Sequence, residues 1–379
     1  MKRFTTPLCV VLVTSLLALA VSAQETPRTG LSLPSDIHPD SHNRLSSISE
    51  APEGAAGIRR HGSQGNTRWQ SSTGRAMTEL AILTSAREHD QPYEWSLHEM
   101  EAVAVGLDPA VIDIVRNRKP LTGVGERESA IIQTGREIFR THKLNSQTYA
   151  RALKIFGERD LVDIVDLMAN YAGTAARLTA FNQQMPPGWK QFLPLPFSPP
   201  DDIHPDSRSR LPLIQTPAPA PAMPPALYSR NLAPEGTGPG HIRRHGAGLK
   251  SLETSVGRRT MELAILITAR EHDDEYQWTI NEPIALKNAV ESAVIDCVRS
   301  GKPVTQLAEK DAALTEFARQ LFRNHTVTSE TYARALKAFG ERDLVDIVDL
   351  MAQRTSDGVL LIAFDQQLPA GQSPLLPIR

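Results

Sequence analysis

Two glutamates and a histidine are spaced so that they can share a proton. Glu94 and His98 stand four residues apart in Tyr93-Glu94-Trp95-Ser96-Leu97-His98-Glu99, which makes their side chains neighbours on one helix face. Glu79 lies upstream in Thr78-Glu79-Leu80-Ala81-Ile82-Leu83-Thr84-Ser85-Ala86-Arg87, and Ile82, Leu83 and Ala86 share its side of the helix. If the two helices fold back at the turn Asp90-Gln91-Pro92, two carboxylates and one imidazole converge. A histidine held by a carboxylate suits general acid–base work, because imidazole titrates near neutrality and its partner fixes the tautomer. Taken alone, such a Glu–His pair is most often a surface ion pair, and Glu79 can equally serve a helix dipole. Arg59, Arg60 and Arg87 are the candidate cations for a substrate carboxylate.

The elements that must hold these residues occur twice. TYARALKIFGERDLVDIVDLMA, from Thr148 to Ala169, returns from Thr331 to Ala352 with one difference, at an offset of 183 residues. The same offset aligns Glu79 with Glu262, Tyr93 with Tyr276, Trp95 with Trp278 and Phe181 with Phe364, without gaps. It also turns Glu94 into Gln277 and His98 into Asn281, while His89 and His142 persist as His272 and His325. Gln and Asn keep size and hydrogen-bonding reach but cannot exchange a proton near neutrality. The second copy therefore reads as a degenerate site. Shorter echoes precede each copy: Asp36-Ile37-His38-Pro39-Asp40-Ser41 returns at 202–207, and Ile58-Arg59-Arg60-His61-Gly62 returns at 242–246.

Apolar spacing of three and four residues, as in Leu161, Ile164, Val165 and Met168, predicts helices throughout. In the first copy these run over 73–89, 93–106, 108–118, 126–142, 146–156 and 158–183. Gly106 and Gly157 serve as stops, Pro109 as a first-turn proline, and Asp108 and Ser146 as N-caps. The fold class is all-α, with two tandem six-helix domains at 73–187 and 241–379. An irregular arm, 24–72, precedes them. A linker, 188–240, joins them. Residues 186–240 carry about half of the 28 prolines, so that stretch is expected to run extended over the surface.

Lys2 and Arg3 precede an apolar run from Leu8 to Ala20, and small residues follow at Val21-Ser22-Ala23. This predicts a cleaved signal peptide, 1–23, and an exported protein, periplasmic or secreted. No later run is long enough to span a bilayer. Composition is that of a globular protein, 40% apolar and 22% charged, and a net charge of −2 argues against nucleic acid as a partner. Only Cys297 would remain after cleavage of Cys9, so no disulfide, CxxC pair or zinc cluster is expected. Cys297 is assigned to core packing. His38, His61, His89 and His142 lack metal-ligand spacing and are assigned to loops or caps, with no metal and no cofactor expected.

The string ELAILTSAREHDQPYEWSLHEMEAVAVGLDPAVIDIVRNRKP, with IRRHG before it and YARALKIFGERDLVDIVDLM after it, resembles the carboxymuconolactone decarboxylase family, which shares its fold with alkylhydroperoxidase D. The resemblance covers both copies and implies compact all-α units that self-associate, here as an intramolecular pseudo-dimer able to form homo-oligomers. In the peroxidase branch the motif is Glu, Cys-x-x-Cys, His. Its glutamate falls on Glu79, its cysteines on Gln91 and Glu94, and its histidine on His98, so the thiol chemistry is missing. The decarboxylase branch, with a glutamate four residues before its histidine, matches Glu94 and His98.

The resemblance implies a cofactor-independent lyase or isomerase acting on a small carboxylated or lactone substrate. In that reading Glu79, Glu94 and His98 are catalytic, Arg59, Arg60, Arg87, Tyr93 and Trp95 face the substrate, and Glu262, Gln277 and Asn281 form the degenerate second site. Tyr93 and Trp95 have an equally direct explanation as core aromatics kept in both copies. The alternative function is a non-catalytic binding or assembly protein on the same fold.

Overall fold

The computed structural model describes residues 36–63, 72–195, 201–214 and 237–377, and the segment read as a signal peptide lies outside them. Among these residues there are thirteen α-helices and no strands, only two isolated β-bridges. After α1 (Ala55–Arg59) come α2 (Arg75–Glu88), α3 (Pro92–Ala104), α4 (Pro109–Arg116), α5 (Glu126–Thr141) and α6 (Ser146–Ala180). Then follow α7 (Gly238–Arg243), α8 (Leu249–Glu271), α9 (Glu275–Lys287), α10 (Ser292–Arg299), α11 (Glu309–Arg323), α12 (Ser329–Phe339) and α13 (Glu341–Ala363). Helix bounds in the second half repeat those of the first at the sequence offset, as in Pro92–Ala104 and Glu275–Lys287.

The punctuation acts as its chemistry requires. Gly157, at φ 71°, breaks α6, and Gly340, at φ 75°, separates α12 from α13. Both adopt the left-handed conformation that costs a side chain most. Asp108 caps α4 through Ala110 N, with Pro109 in the first turn. The N-cap of α6 is Asn145, whose side chain accepts from Thr148 N, and not Ser146. Asparagine is at least as good a cap as serine, and here it stands one residue earlier.

In α2 every residue from Met77 to Glu88 is buried. A helix enclosed on all sides is a core helix, and α8 repeats this from Met261 to Glu271. Each half has its own apolar core around that helix. Two further cores mix the halves: Val162, Val165 and Ala169 pack with Leu360 and Phe364, and Ala176 and Phe181 pack with Val348 and Ala352. Helices α6 and α13 cross so closely that a Cβ on Gly173 would lie 2.7 Å from the Ala352 carbonyl oxygen. Ser356 Oγ donates to Ala169 O at the same crossing, at 2.8 Å.

The segments outside the helical sets do more than cover the surface. Arg44 N donates to Phe364 O at 2.9 Å, and the Arg44 guanidinium donates to Leu144 O and Ala363 O. Just after the second echo Arg210 N donates to Phe181 O at 2.9 Å, and its guanidinium donates to Ala180 O and Val327 O. Each echo thus straps the last helix of one half to the other half. Ser207, Ser209, Arg210 and Leu211 are buried, which corrects the expectation of a linker wholly on the surface. The reason is the set of helix-end carbonyls, which need donors.

Candidate functional site

Helices α2 and α3 pack as the hairpin that the turn Asp90-Gln91-Pro92 predicts. Asp90 takes a positive φ of 48°. Gln91 caps α3 by accepting from Tyr93 N, and Pro92 occupies the first turn. The hairpin brings Glu79 from α2 against Glu94, His98 and Glu101 from α3. His98 Nδ1 lies 2.8 Å from Glu79 Oε2, and His98 Nε2 lies 3.3 Å from Glu94 Oε2. All four side chains are buried, with His98 1% exposed. The group is therefore sealed in the fold, where the sequence predicts that Glu79, Glu94 and His98 converge in a partly buried pocket.

Three members escape the sequence reading. Glu101 is buried beside the group, and Arg75 Nη2 lies 3.6 Å from Glu101 Oε2 and 3.9 Å from Glu79 Oε1. Tyr171 of α6 sets its ring at right angles to the His98 imidazole, with centroids 4.9 Å apart. Two signals mark Glu101 in the sequence: it is three residues from His98 on one helix face, and it becomes Ile284 at the offset of 183.

The proton count follows from donors and acceptors. A carboxylate only accepts, so attraction at both ring nitrogens needs a proton on each, or a proton on one of the flanking carboxyls. The Glu79–His98–Glu94 chain thus links α2 to α3. Glu79, His98 and Glu101 also offer donor atoms within 4.8 Å of one another, as a metal-ligand set would. Arg75 lies against both carboxylates of that set and supplies the positive charge that a cation would otherwise bring.

The second half keeps the ion pair and loses the imidazole. Glu262 Oε1 lies 3.2 Å from Arg258 Nε. Burial pushes the Glu262 carboxyl above its usual range, and Arg258 and Arg354 oppose the shift. Gln277 Nε2 donates to Asp274 Oδ2 and to Arg354 O, both at 2.8 Å, and Asn281 Nδ2 donates to Gln277 O at 2.6 Å. Gln277 and Asn281 thus occupy the corresponding places on α9 with their amides turned elsewhere.

The other candidates are committed to separate contacts. Arg59 bridges Asp166 and Asp357, at 2.9 and 2.7 Å. Arg60 donates to Glu50 O at 3.3 Å. Arg87 donates to Arg116 O at 2.6 Å and pairs with Asp90. Tyr93 and Trp95 are fully buried, the first with its hydroxyl 3.2 Å from Thr237 Oγ1 and the second donating to Glu99 at 2.5 Å. Cys297 is buried, as expected of a packing residue.

His89 and His142 are capping residues, as the sequence predicts, and they are also grouped in space. They cap the ends of α2 and α5. His89 faces His325 with ring centroids 5.7 Å apart, and His142 faces His272 at 6.1 Å. Each pair joins one residue from each half, so spacing along the chain cannot reveal it. Compared with protein-family models, with curated proteins and with solved structures, the chain finds no match.

Proposed function

We propose that this chain is an exported, cofactor-independent acid–base protein of the carboxymuconolactone decarboxylase type. In this reading it is a tandem pair of six-helix, alkylhydroperoxidase D-like units joined as an intramolecular pseudo-dimer. Its one working centre, in the first unit, exchanges a proton with a small carboxylated or lactone substrate. The observation that supports this reading is His98, contacted by a carboxylate on each ring nitrogen inside a buried helix hairpin.

Loss of carbon dioxide from an unsaturated lactone acid leaves the bonding electron pair on an extended enolate. His98 would return a proton to carbon, Glu79 would hold the ring and its tautomer, and Glu94 would restore the proton. Arg75, and not Arg59, Arg60 or Arg87, is the cation placed to balance the charge. Because His98 is 1% exposed, this chemistry requires α3 to move off α2 and admit the substrate. A thiol peroxidase is not supported, since Gln91 and Glu94 stand where that chemistry needs cysteines.

The burial that demands opening also favours the second reading, a binding or assembly protein whose polar group only fixes the hairpin. A screen of small lactones and carboxylic acids against the whole protein separates the two. On the first reading His98→Asn and Glu94→Gln each lower turnover ~10²-fold or more. Turnover that survives both substitutions refutes the assignment, and absence of turnover across the screen favours the second reading.

A further inference from the structure

We propose that His89, His142, His272 and His325 form a binding site for one transition-metal ion of the zinc, copper or nickel class, at the seam between the halves. The four rings line a cavity of about 60 Å³ whose remaining walls include Phe139, Ala172, Phe322 and Val359. That space takes an ion and a few waters but is well below the size of an ordinary organic-ligand site. The donors present are imidazole nitrogens, which suit zinc, copper and nickel better than magnesium or calcium, both of which take oxygen.

The rings are prepared in the manner of metal ligands. His89 Nδ1 donates to Ser85 O and His272 Nδ1 to Thr268 O, both at 2.8 Å, so the lone pair is left on Nε2 of each ring. His142 Nδ1 lies 3.5 Å from Asp273 Oδ2. Carbonyl and carboxylate partners on the far nitrogen are what fix ring orientation in metal sites. A metal–nitrogen bond of about 2.0–2.1 Å places two rings on one ion with centroids roughly 5–6 Å apart. The observed pairs, at 5.7 and 6.1 Å, stand near that span, although no three of the four rings bring their nitrogens within 4.8 Å of one another in this arrangement. His142 and His325, whose rings are not tied to a helix carbonyl, are the ones that must turn to close four nitrogens on one ion.

The surrounding charges leave the cavity to the imidazoles. Glu88 is held by Arg140 at 2.6 and 2.7 Å, with Arg118 at 3.6 Å. Glu271 is held by Arg323. Helix capping alone does not account for the set. His142 and His325 both sit at φ 50°, where glycine or asparagine is the usual cap.

The test uses the whole chain, stripped with a chelator and titrated with Cu²⁺ and Zn²⁺. One ion per chain is expected, with three or four nitrogen ligands in the Cu²⁺ electron paramagnetic resonance spectrum. The double substitutions His89→Gln/His325→Gln and His142→Gln/His272→Gln should each weaken binding at least 100-fold. Absence of stoichiometric binding overturns the proposal, as does binding untouched by both double substitutions. If those variants do not fold, the wild-type spectrum decides, and fewer than three nitrogens overturns the proposal.

Discussion

Replacing His98 by asparagine, as the second half has at Asn281, should destabilise the fold more than making the second-half replacements at positions 94, 98 and 101 together. With His98→Asn alone, Glu79 and Glu94 stay buried at 0% and 3% exposure without the imidazole between them. Removing one partner of a buried ionic group costs about 3–5 kcal/mol, because the remaining charge is uncompensated. Glu94→Gln and Glu101→Ile alone should each cost about 1–3 kcal/mol, through lost charge-assisted contacts. The triple variant Glu94→Gln/His98→Asn/Glu101→Ile removes two carboxylates with the imidazole and leaves Glu79 to Arg75. That is the arrangement of Glu262 with Arg258 at 3.2 Å. Its expected cost is about 1–3 kcal/mol, so the three changes should fall short of additivity by at least about 2 kcal/mol. Urea unfolding of the four variants, followed by far-ultraviolet circular dichroism at matched m-values, measures this. Costs that add within about 0.5 kcal/mol would show that the four residues are not one electrostatic unit.

His241 is 1% exposed, no well-formed hydrogen bond reaches either ring nitrogen, and its pKa is lowered to about 4, first by burial and then by His245 and Arg244. The unfolded chain therefore takes up a proton that the folded chain refuses, and stability falls as pH drops from about 6.5 toward 4. By linkage this group removes up to about 2 kcal/mol by pH 5, and His241→Leu should lessen the fall of a stability profile measured by urea midpoint by about that amount, the remainder coming from other buried histidines. Gly173→Ala gains about 1 kcal/mol of helix propensity but drives a Cβ to 2.7 Å from the Ala352 carbonyl oxygen. Overpacking of about 1–3 kcal/mol should win, so thermal unfolding should come earlier. Arg210→Ala should cost about 2–4 kcal/mol, because buried carbonyls at Ala180 and Val327 lose their donor. A midpoint equal to that of the unaltered chain would remove Arg210 from the seam's energetics.

Most helices could be read from the chain because they have an apolar face or explicit stop signals. The predicted 126–142 and the observed Glu126–Thr141 differ by one residue. The hairpin could be read from Asp90-Gln91-Pro92, and with it the convergence of Glu79, Glu94 and His98. Arg75 and Tyr171 could not, since their approach depends on how α2 begins and how α6 crosses the hairpin. Glu101 was accessible to the comparison that singled out Glu94 and His98, but its three-residue spacing from His98 resembles that of any solvated helix face. The strapping role of Arg44 and Arg210 was hidden for another reason. Surroundings rich in serine and proline suggest exposure, whereas these two guanidinium groups serve carbonyls at the ends of distant helices.

The histidine quartet and the Glu79–His98–Glu94 chain differ in what they ask of the repeat, and this accounts for their different fates. The carboxylate–imidazole group is built from one hairpin, so its counterpart in α8 and α9 can lose Glu94, His98 and Glu101 equivalents without disturbing the first. What the second hairpin keeps is the Arg258–Glu262 pair, and Arg354 stands in place of Tyr171, which adds positive charge beside a buried carboxylate that has lost its imidazole. That substitution is the expected electrostatic compensation. At the seam no such independence exists. His89 meets His325 and His142 meets His272, so the loss of either histidine from one half leaves a partner in the other half unpaired. A self-complementary contact ties the two copies together, residue against exchanged residue, and all four histidines remain.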